Sequence, residues 1–440
     1  MRTARGAQEV RELLRRAPVE AGLLSPKVAE GIARVFGEGV SAEQAVDRII
    51  AAVAEGGDEA LFDYGRRIDG WSGASLAVTS EEIDRAVDSL APELMGAMEV
   101  AAERIRVFHE VALPESWFDE ATGLGQRILP LKSVGLYVPG GTASYPSTVL
   151  HTAMPAKVAG VESVIVTTPP EPTPIVLAAA RIAGVDQLYR VGGAQAIAAM
   201  AFGTATIPRV DKIFGPGNLF VTIAKRKLYG TVGIDGVYGP TETLIIADET
   251  ARAELCAADL LAQAEHDVLA TPVLLTTSET LAGEVAAEVE RQLVTLERRE
   301  LASVALETRG LIGLVGSVEE AIELANEYAP EHLCLFVDAP KSYVNLVVNA
   351  GGLFLGESSP EVLGDYNAGP SHVMPTGGSA RYASALNLMD FFKLTSVVGF
   401  DPALGQRLGG AAARIAREEG LTGHARAAKA RLTRGSKVTR

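Results

Sequence analysis

Four of the six histidines lie between residues 261 and 424, and each stands near a carboxylate or carboxamide in the sequence. Their segments read L-A-Q-A-E-H (261–266), A-P-E-H-L (329–333), G-D-Y-N-A-G-P-S-H (364–372) and E-G-L-T-G-H (419–424). Neutral imidazole and carboxylate oxygens bind divalent metals, and both groups carry protons near neutral pH. The pattern therefore favours a metal site, an acid–base site, or both.

Two of these segments hold candidate metal ligands. Asp259, Gln263 and His266 are spaced four and three residues apart, which places them on one face of a predicted helix. Gln263 and His266 are candidates to offer one oxygen and one nitrogen to a common ion, although the structural alternative stays open because Gln is an uncommon zinc ligand. Asp365 and His372 flank a predicted loop after an apolar run, where turn chemistry is the plain alternative.

Glu331 and His332 form a different kind of motif. They are adjacent, follow a proline and open a predicted strand, H-L-C-L-F-V. An adjacent Glu-His pair can divide two proton transfers, one acting on water and the other on an alcohol. The pair is therefore the candidate acid–base centre.

The elements that position these residues follow an α/β rhythm. Short apolar runs alternate with helical patterns from residue 134 and again after residue 239, which predicts parallel sheets covered on both faces. The predicted fold is α/β, with two tandem Rossmann-like parallel-sheet domains, a helical N-terminal region and a small helical C-terminal tail. The predicted domains are a helical region packing on the second α/β domain (1–130), a Rossmann-like nucleotide-binding domain (131–238), a Rossmann-like metal and substrate domain (239–378) and a C-terminal helical tail (379–440).

Three Gly-rich turns follow predicted strands of the first α/β series. They read V-P-G-G (138–141), V-G-G-A-Q (191–195) and G-P-G-N (215–218). Backbone N–H groups and helix N-termini at the carboxyl ends of parallel strands receive phosphates or nucleotides. A nucleotide site and three ordinary turns both remain open from this pattern.

Composition excludes several classes of protein. The formal net charge of −15 over 440 residues argues against nucleic-acid binding, which needs a basic surface. No apolar run is long enough to span a membrane, and residues 1–16 lack the apolar core of a signal peptide. The two cysteines, Cys256 and Cys334, stand in apolar runs, which favours buried hydrophobes over a catalytic thiol. We expect a cytoplasmic protein.

Eight motifs, taken in order, resemble the histidinol dehydrogenase family over nearly the whole chain. They are V-G-L-Y-V-P-G-G with Y-P-S, P-A-K-V-A-G-V, G-G-A-Q-A-I-A-A, D-K-I-F-G-P-G-N, L-L-A-Q-A-E-H, A-P-E-H-L, G-D-Y-N-A-G-P-S-H-V-M-P-T-G-G and E-G-L-T-G-H. The resemblance implies an enzyme that uses Zn²⁺ and NAD to oxidise L-histidinol through L-histidinal to L-histidine, the last step of histidine biosynthesis. It also implies a domain-swapped homodimer.

The resemblance also assigns roles to individual residues. Glu331 and His332 would be the acid–base pair, and Tyr137, Gln195 and Asn218 would contact NAD. Zinc would be held by Gln263, His266 and Asp365, with His424 supplied by the other subunit. The substrate-facing residues would be Thr241, Gln263, His266, His332, Asp365, Glu419 and His424.

Two positions depart from the family pattern. Thr241 stands in G-P-T-E where the family usually has G-P-S-E, and Ser371 stands where an Asn commonly precedes the histidine. Neither change removes a ligand or a base. The alternative they leave open is a paralogous zinc- and NAD-dependent alcohol dehydrogenase that acts on another small alcohol, such as a sulfonated diol. A metal-binding scaffold and a thiol-dependent aldehyde dehydrogenase are further alternatives.

Overall fold

The computed structural model describes residues 1–16, 26–140 and 144–432, with side chains from residue 28 onward in the second range. Gly141 of the first Gly-rich turn and residues 433–440 of the predicted tail lie outside the described residues, as do residues 17–25 of the N-terminal region. Within the described residues, no helix is long and apolar enough to cross a membrane.

The described residues form strands and helices that alternate through most of the chain. The strands are β1 (Arg2–Arg5), β2 (Trp117–Asp119), β3 (Leu124–Pro130), β4 (Ser133–Tyr137), β5 (Ser163–Thr168), β6 (Gln187–Arg190), β7 (Lys212–Phe214), β8 (Gly233–Ile234), β9 (Glu242–Ala247), β10 (Thr271–Thr276), β11 (Leu311–Leu314), β12 (His332–Phe336), β13 (Gly352–Leu355) and β14 (Phe392–Val398). The helices are α1 (Ala7–Leu13), α2 (Pro26–Phe36), α3 (Ala42–Gly56), α4 (Asp58–Asp69), α5 (Ser80–Asp88), α6 (Pro92–Glu110), α7 (Pro146–Val158), α8 (Pro174–Ile182), α9 (Gly193–Phe202), α10 (Leu219–Leu228), α11 (Ala253–Ala264), α12 (Glu279–Leu293), α13 (Arg299–Thr308), α14 (Val318–Tyr328), α15 (Glu361–Tyr366), α16 (Pro402–Glu418) and α17 (Thr422–Leu432).

The first sheet has the strand order β6-β5-β4-β7-β8, and every neighbouring pair is parallel. Helices α7 to α10 connect its successive strands. Strand β5, which lies between β6 and β4, is buried along almost its whole length, and this explains the continuous apolar run V-I-V in the sequence. The predicted parallel sheet is therefore confirmed.

The second sheet has the order β1-β11-β10-β9-β12-β13 and is also entirely parallel. Strand β9 lies between β10 and β12, and all six of its residues are buried. The edge strand β1 comes from the extreme N-terminus, where Arg2 pairs with Leu311. The pattern of residues 1–16 does not predict this strand, because only one of its four residues is buried.

The contacts of the N-terminal region divide between the two sheets. Strand β1 and helix α1 join the second sheet, and Val10 is fully buried in its core. Helices α3 and α4 pack instead on helix α9 of the first sheet, through a core that includes Val46, Ile49 and Leu61. Ser41 begins α3 with a capping box, in which its hydroxyl accepts from the Gln44 N–H and the Gln44 side chain accepts from the Ser41 N–H. The proposed domain boundaries themselves stay a prediction.

A second compact unit comprises Leu113–Pro130 and Phe392–Arg440, of which the structure describes residues up to 432. It contains the antiparallel sheet β14-β3-β2 and the mutually packed helices α16 and α17. The sequence analysis predicts only helix for these segments and misses all three strands. Their residues are mostly exposed, so no buried alternation marks them, and the β3–β14 ladder joins segments far apart in the chain.

Candidate active site

The predicted acid–base pair lies where strands β9 and β12 begin, at the amino edge of the second sheet. His332, the first residue of β12, is paired in register with Thr243 of β9. This pairing brings residues 241–243 beside Glu331 and His332. The edge is opposite to the carboxyl edge at which ligands usually bind in α/β sheets. Helix α11 runs back from the carboxyl end of β9, so its last turn reaches this amino edge.

Glu331 is buried and held by two donors. Its Oε2 accepts a hydrogen bond from the Thr241 hydroxyl and another, at 2.9 Å, from the backbone N–H of Glu242. Burial raises the pKa of Glu331 well above its usual range, and these two hydrogen bonds oppose the rise. A carboxylate in this environment gains basicity while staying fixed in direction, which suits a general base.

His332 is buried with its two ring nitrogens in different surroundings. Nδ1 lies 3.2 Å from the carbonyl oxygen of Glu242, which can only accept a hydrogen bond. Nδ1 therefore carries the proton, and the buried Nε2, which has no hydrogen-bond partner in the described structure, keeps its lone pair. Nε2 lies 3.7 Å from Oδ1 of Asp365. Burial lowers the pKa of His332, and the charge of Asp365 partly offsets this.

Two candidate ligands come from the end of helix α11. Gln263 is fully buried in its last turn, with its Oε1 atom 2.7 Å from the Thr243 hydroxyl oxygen. His266 follows the helix, and its Nδ1 lies 2.9 Å from the carbonyl oxygen of Ala262. That contact assigns the proton to Nδ1 and leaves Nε2 as the nitrogen able to bind a metal. His266 is exposed, whereas Gln263 is fully buried.

Asp365 lies on helix α15, so the loop expected around this residue is a short helix instead. The reason is local: Pro360 precedes the first turn at a position where its missing N–H is not needed. The backbone carbonyl of Asp365 faces Nδ1 of His372 at 2.8 Å. The Thr148 hydroxyl, which belongs to α7, lies 3.4 Å from Nε2 of His372. His372 therefore contacts both α15 and α7.

The donor set at this edge fits a divalent metal in its chemistry. A carboxamide and a carboxylate lie close to His332, from Gln263 through Thr243 and from Asp365 directly, and the imidazole of His266 stands three residues after Gln263. Within the part of the chain that the structure describes, no group of three or more His, Cys, Asp or Glu side chains is placed to hold an ion. Of the three predicted ligands at this edge, only His266 and Asp365 are of these residue types, because Gln263 carries a carboxamide.

The three residues predicted to contact NAD lie at the carboxyl edge of the first sheet. Tyr137 ends β4, and its hydroxyl oxygen accepts a hydrogen bond from the Gly193 N–H at 3.1 Å. Gln195 is buried in the first turn of α9, and its Oε1 has no partner in the described structure. Asn218 caps α10 by accepting hydrogen bonds from the N–H groups of Phe220 and Val221.

Close packing of backbone explains one of the glycines between these residues. Gly215 has a φ of 107°, and a Cβ atom there would meet the carbonyl oxygen of Tyr137 at 2.2 Å. A side chain at this position is excluded, so the second and third of the three turns are held against the end of β4. The N-termini of α9 and α10 therefore lie at this edge, which is where nucleotides bind in parallel sheets, although the N–H groups of Gly193, Phe220 and Val221 are engaged by Tyr137 and Asn218.

The remaining predicted residues are divided between the two compact units. Thr241 stands at the acid–base pair, where its hydroxyl donates to Glu331. Glu419 caps the end of α16 and His424 lies in α17, both in the second unit and both exposed. The structure of one chain thus brings Thr241, Gln263, His266, Asp365 and the Glu-His pair together, while Glu419 and His424 stay predictions.

Three functional neighbours escaped the sequence analysis. Thr243 contacts both Gln263 and Glu361, and Glu361 is a buried carboxylate whose Oε2 lies 3.7 Å from Nδ1 of His332. Burial and the charge of Asp365 raise the pKa of Glu361 well above its usual range. Arg16 forms an ion pair with Glu242. The spacing of four residues between Glu361 and Asp365 was a signal for Glu361, whereas nothing local marks Arg16.

Neither cysteine is placed for nucleophilic chemistry. Cys256 and Cys334 are fully buried in the core of the second sheet. Burial raises the pKa of Cys256 to about 12 and that of Cys334 well above its usual range. The thiolate is the reactive form, so both side chains act as buried hydrophobes, as their apolar contexts predict.

Comparison with known proteins gives the same family along the whole chain. Residues 36–432 match the family described as histidinol dehydrogenase. The chain is 47% identical to histidinol dehydrogenase of Dehalococcoides mccartyi over 438 residues, covering 98% of this chain and 100% of that protein. It is 49% identical to the Deinococcus radiodurans protein of the same name, covering 92% and 94% of the two chains. The crystal structure of histidinol dehydrogenase from Elizabethkingia anophelis superposes with a TM-score of 0.90 at 35% identity, covering 98% of each chain.

The two parallel sheets and these matches define an NAD-dependent α/β oxidoreductase. The chain belongs to the histidinol dehydrogenase family. The alternative of a paralogue acting on another small alcohol finds no support in these comparisons. At the first departure from the family pattern, Thr241 still presents its hydroxyl to Glu331.

Proposed function

We propose that this chain oxidises L-histidinol through L-histidinal to L-histidine, the last step of histidine biosynthesis, with Zn²⁺ bound and NAD as the hydride acceptor. The observation that carries the proposal is the position of Nε2 of His332, which is buried, has no hydrogen-bond partner in the described structure and lies 3.7 Å from Oδ1 of Asp365. A base of this kind lies within the converging donors of Gln263, His266 and Asp365. Membership of the family supplies the substrate.

The metal would be held by Gln263, His266 and Asp365, with His424 supplied by the other subunit of a homodimer. When bound, zinc supplies a fixed positive centre that orients the amino and imidazole nitrogens of the substrate. His266 is prepared for this role because its Nδ1 proton is already engaged by Ala262. Thr241 and Glu419 would complete the surface that faces the substrate.

His332 acts on the alcohol. Its Nε2 accepts the hydroxyl proton while the carbinol carbon gives up its hydride, and Nδ1 stays hydrogen-bonded to the Glu242 carbonyl. The lowered pKa of His332 keeps the ring neutral and ready to accept that proton at physiological pH. The step converts the alcohol to the aldehyde.

Glu331 acts on water. Its carboxylate removes a proton from a water molecule as the water oxygen attacks the aldehyde carbon. The protonated Nε2 of His332 returns its proton to the aldehyde oxygen, giving a hydrated aldehyde and a neutral His332. His332 then accepts a hydroxyl proton from this hydrate as the second hydride leaves, and the product is the carboxylate. The balance is one alcohol, one water and two NAD⁺ giving one carboxylate, two NADH and three protons.

NAD would bind at the carboxyl edge of the first sheet, against Tyr137, Gln195 and Asn218. The buried Oε1 of Gln195, which has no partner in the described structure, supports this assignment because a bound ligand would satisfy it. The N-termini of α9 and α10, which follow the Gly-rich turns at 191–195 and 215–218, would face the phosphates of the cofactor.

A homodimer with shared active sites is part of the proposal. The second compact unit exposes more large apolar side chains than a solvated surface needs, which suits burial against another copy. These are Leu113, Trp117, Phe118, Leu124, Leu394, Val398, Phe400, Leu408, Ile415 and Leu421. We place the substrate domain at residues 239–378, the NAD domain at 131–238, and the swapped tail at 379–440. The setting would be the cytoplasm, where NAD is available and the buried thiols stay reduced.

The test is the amount of NADH formed per molecule of L-histidinol, measured with zinc-loaded and with chelator-treated protein. We expect two NADH per histidinol, no turnover after chelation, and recovery when zinc is returned. The His332→Ala variant is the control for contaminating dehydrogenases. Absence of turnover in a folded, zinc-containing protein would overturn the assigned substrate.

A further inference from the structure

The hydroxyl of Thr243 connects a candidate metal ligand to a buried carboxylate. Its Oγ1 lies 2.7 Å from Oε1 of Gln263 and closer still to Oε2 of Glu361. All three side chains are at least 98% buried, so water does not compete for these contacts. Thr243 stands in the middle of a short hydrogen-bonded chain that ends at Gln263 on one side and Glu361 on the other.

The number of protons restricts how this chain can be arranged. A hydroxyl donates one hydrogen bond, yet both Gln263 Oε1 and an ionised Glu361 would need the Thr243 proton. In the same placement, Nε2 of Gln263 is buried and has no hydrogen-bond partner in the described structure. A buried N–H without an acceptor is unfavourable, because it has lost its hydrogen bonds to water and gained none in the protein. Thr243 therefore has one proton for two acceptors, Gln263 and Glu361, while the buried Nε2 of Gln263 has protons but no acceptor.

Rotating the Gln263 amide by half a turn resolves both faults. The oxygen and nitrogen of an amide have nearly the same shape, so the hydrogen-bond network decides which is which. After the rotation, Nε2 of Gln263 donates to Thr243, and Thr243 donates to Glu361. Oε1 then occupies the position of the unpartnered atom, with its lone pairs free.

If the hydrogen bonds from Gln263 to Glu361 ran in the opposite direction, the free atom of the Gln263 amide would be its nitrogen. A protonated Glu361 could donate to Thr243, which would then donate to Oε1 of Gln263. The unpartnered atom would be Nε2, whose lone pair is delocalised and whose hydrogens point outward, so it cannot bind a cation. Only the direction that ends in an accepting Glu361 gives an oxygen ligand.

From this geometry we infer that Thr243 and Glu361 are positioning residues that turn the amide oxygen of Gln263 toward the metal ion. The inference rests on the proposed function, because it takes Gln263 as a metal ligand. Neither Thr243 nor Glu361 need touch the ion. Their effect is to remove the half-turn freedom of the amide, as hydrogen bonds to metal ligands do elsewhere.

The test is the zinc dissociation constant of Thr243→Val, measured by competition with a chromophoric chelator. Valine keeps the shape of threonine but cannot bridge Gln263 and Glu361, so we expect zinc to bind roughly 10- to 100-fold more weakly. Thr243→Ser keeps the hydroxyl and should stay within about threefold of the parent protein. Thr167→Val is the matched control, since Thr167 is also fully buried but lies in the first sheet, so its zinc affinity should not change.

A double-mutant cycle separates orientation from general damage. In Gln263→Glu, both terminal atoms are oxygens, so no orientation needs to be selected. Thr243→Val should then change zinc affinity by less than about twofold in that background. Equal weakening in both backgrounds would contradict the inference, as would unchanged affinity in Thr243→Val alone. Thr243→Ala gives the same comparison if valine is not accommodated. A parent protein that binds no zinc would instead contradict the proposed function.

Discussion

The carbonyl oxygen of Glu242 lies 3.2 Å from Nδ1 of His332, across the pairing of two parallel strands. The N–H of the same residue donates to Glu331 at 2.9 Å. One peptide segment of β9 therefore orients both members of the adjacent pair: it sets the tautomer of the histidine and the direction of the carboxylate. The acid–base geometry is thus a property of the sheet and does not depend on a mobile loop.

The assignment of separate roles to His266 and His332 predicts that their substitutions separate metal binding from turnover. His266→Asn should lose tightly bound zinc and activity together, because its Nε2 is the proposed ligand. His332→Ala should keep zinc near the parent content and lose roughly 10²- to 10⁴-fold in turnover, the usual range for a general base. Metal analysis of both purified variants beside initial rates makes the comparison. Equal zinc content in the two variants would disprove the ligand assignment.

Glu331→Gln should slow the aldehyde-to-acid half of the reaction more than the alcohol-to-aldehyde half. Glutamine keeps the hydrogen bond from the Glu242 N–H but cannot accept a proton from water. Because burial raises the pKa of Glu331, the base is ionised only as pH rises, so the parent rate of aldehyde oxidation should increase with pH. The variant should lose that increase. The measurement is the rate with synthetic aldehyde over a pH series.

The contrast with histidinol as substrate serves as the internal control for Glu331→Gln. A normal rate of aldehyde oxidation in the variant would refute the proposed role. An equal loss in both halves would point to damage of the whole site, which the thermal unfolding midpoint would reveal.

The sequence predicted the parts of the site that are close together along the chain. Glu331 and His332 are adjacent, and Gln263 and His266 share one helical segment, so spacing alone was enough to pair them. Thr243 could not be joined to Glu361 in this way, because the two lie 118 residues apart and meet only when β9 and α15 are in place. Arg16 is 226 residues from Glu242 for the same reason.

Burial explains which elements of the fold could be predicted. Strands such as β5 and β9 are buried on both faces, so they appear in the sequence as continuous apolar runs. Strand β14 is almost entirely exposed, and its apolar residues gave no such signal. Its partner β3 lies far away in the sequence, so the ladder between them left no local trace.

The ion pair of Arg16 and Glu242 should stabilise the fold. Nη2 of Arg16 donates to Oε2 of Glu242 at 2.7 Å and to the carbonyl of Tyr328 at 2.8 Å, and its guanidinium stacks on the Tyr328 ring. Arg16→Met would leave the nearly buried carboxylate of Glu242 without a charge partner. Breaking a fully buried pair costs about 3–5 kcal/mol, and we expect about 2 kcal/mol because Arg16 is partly exposed to solvent.

Urea unfolding of Arg16→Met measures this cost, and Arg11→Met is the matched control. Arg11 also pairs with a carboxylate, Glu327, but both side chains are about half exposed. Its loss should change the free energy of unfolding much less than the loss of Arg16, because solvent screens an exposed pair. Similar effects of the two substitutions would show that the Arg16 pair contributes no more than a surface pair.

His109 should make the protein less stable in acid. It lies in the last turn of α6, nearly fully buried, and its Nε2 has no hydrogen-bond partner in the described structure. Burial lowers its pKa from the model-compound value of 6.5 to about 4. Between these two values the unfolded chain binds a proton that the folded chain does not. The part of the free energy of unfolding that depends on a neutral His109 is therefore fully present above about pH 6.5. It is lost as pH falls toward 4.

His109→Leu removes the group that titrates and should flatten this part of the stability profile. From pH 7 to pH 5 we expect the parent protein to lose about 2 kcal/mol more than the variant, given about 1.36 kcal/mol for each unit of pKa difference. Urea unfolding at both pH values gives the comparison, and chelator is present throughout so that metal release in acid does not add its own pH dependence. At pH 7 both proteins carry an uncharged side chain at this position, so that measurement isolates the packing change. If the variant and the parent lose the same stability between pH 7 and pH 5, the acid sensitivity arises from other groups and His109 is not its source.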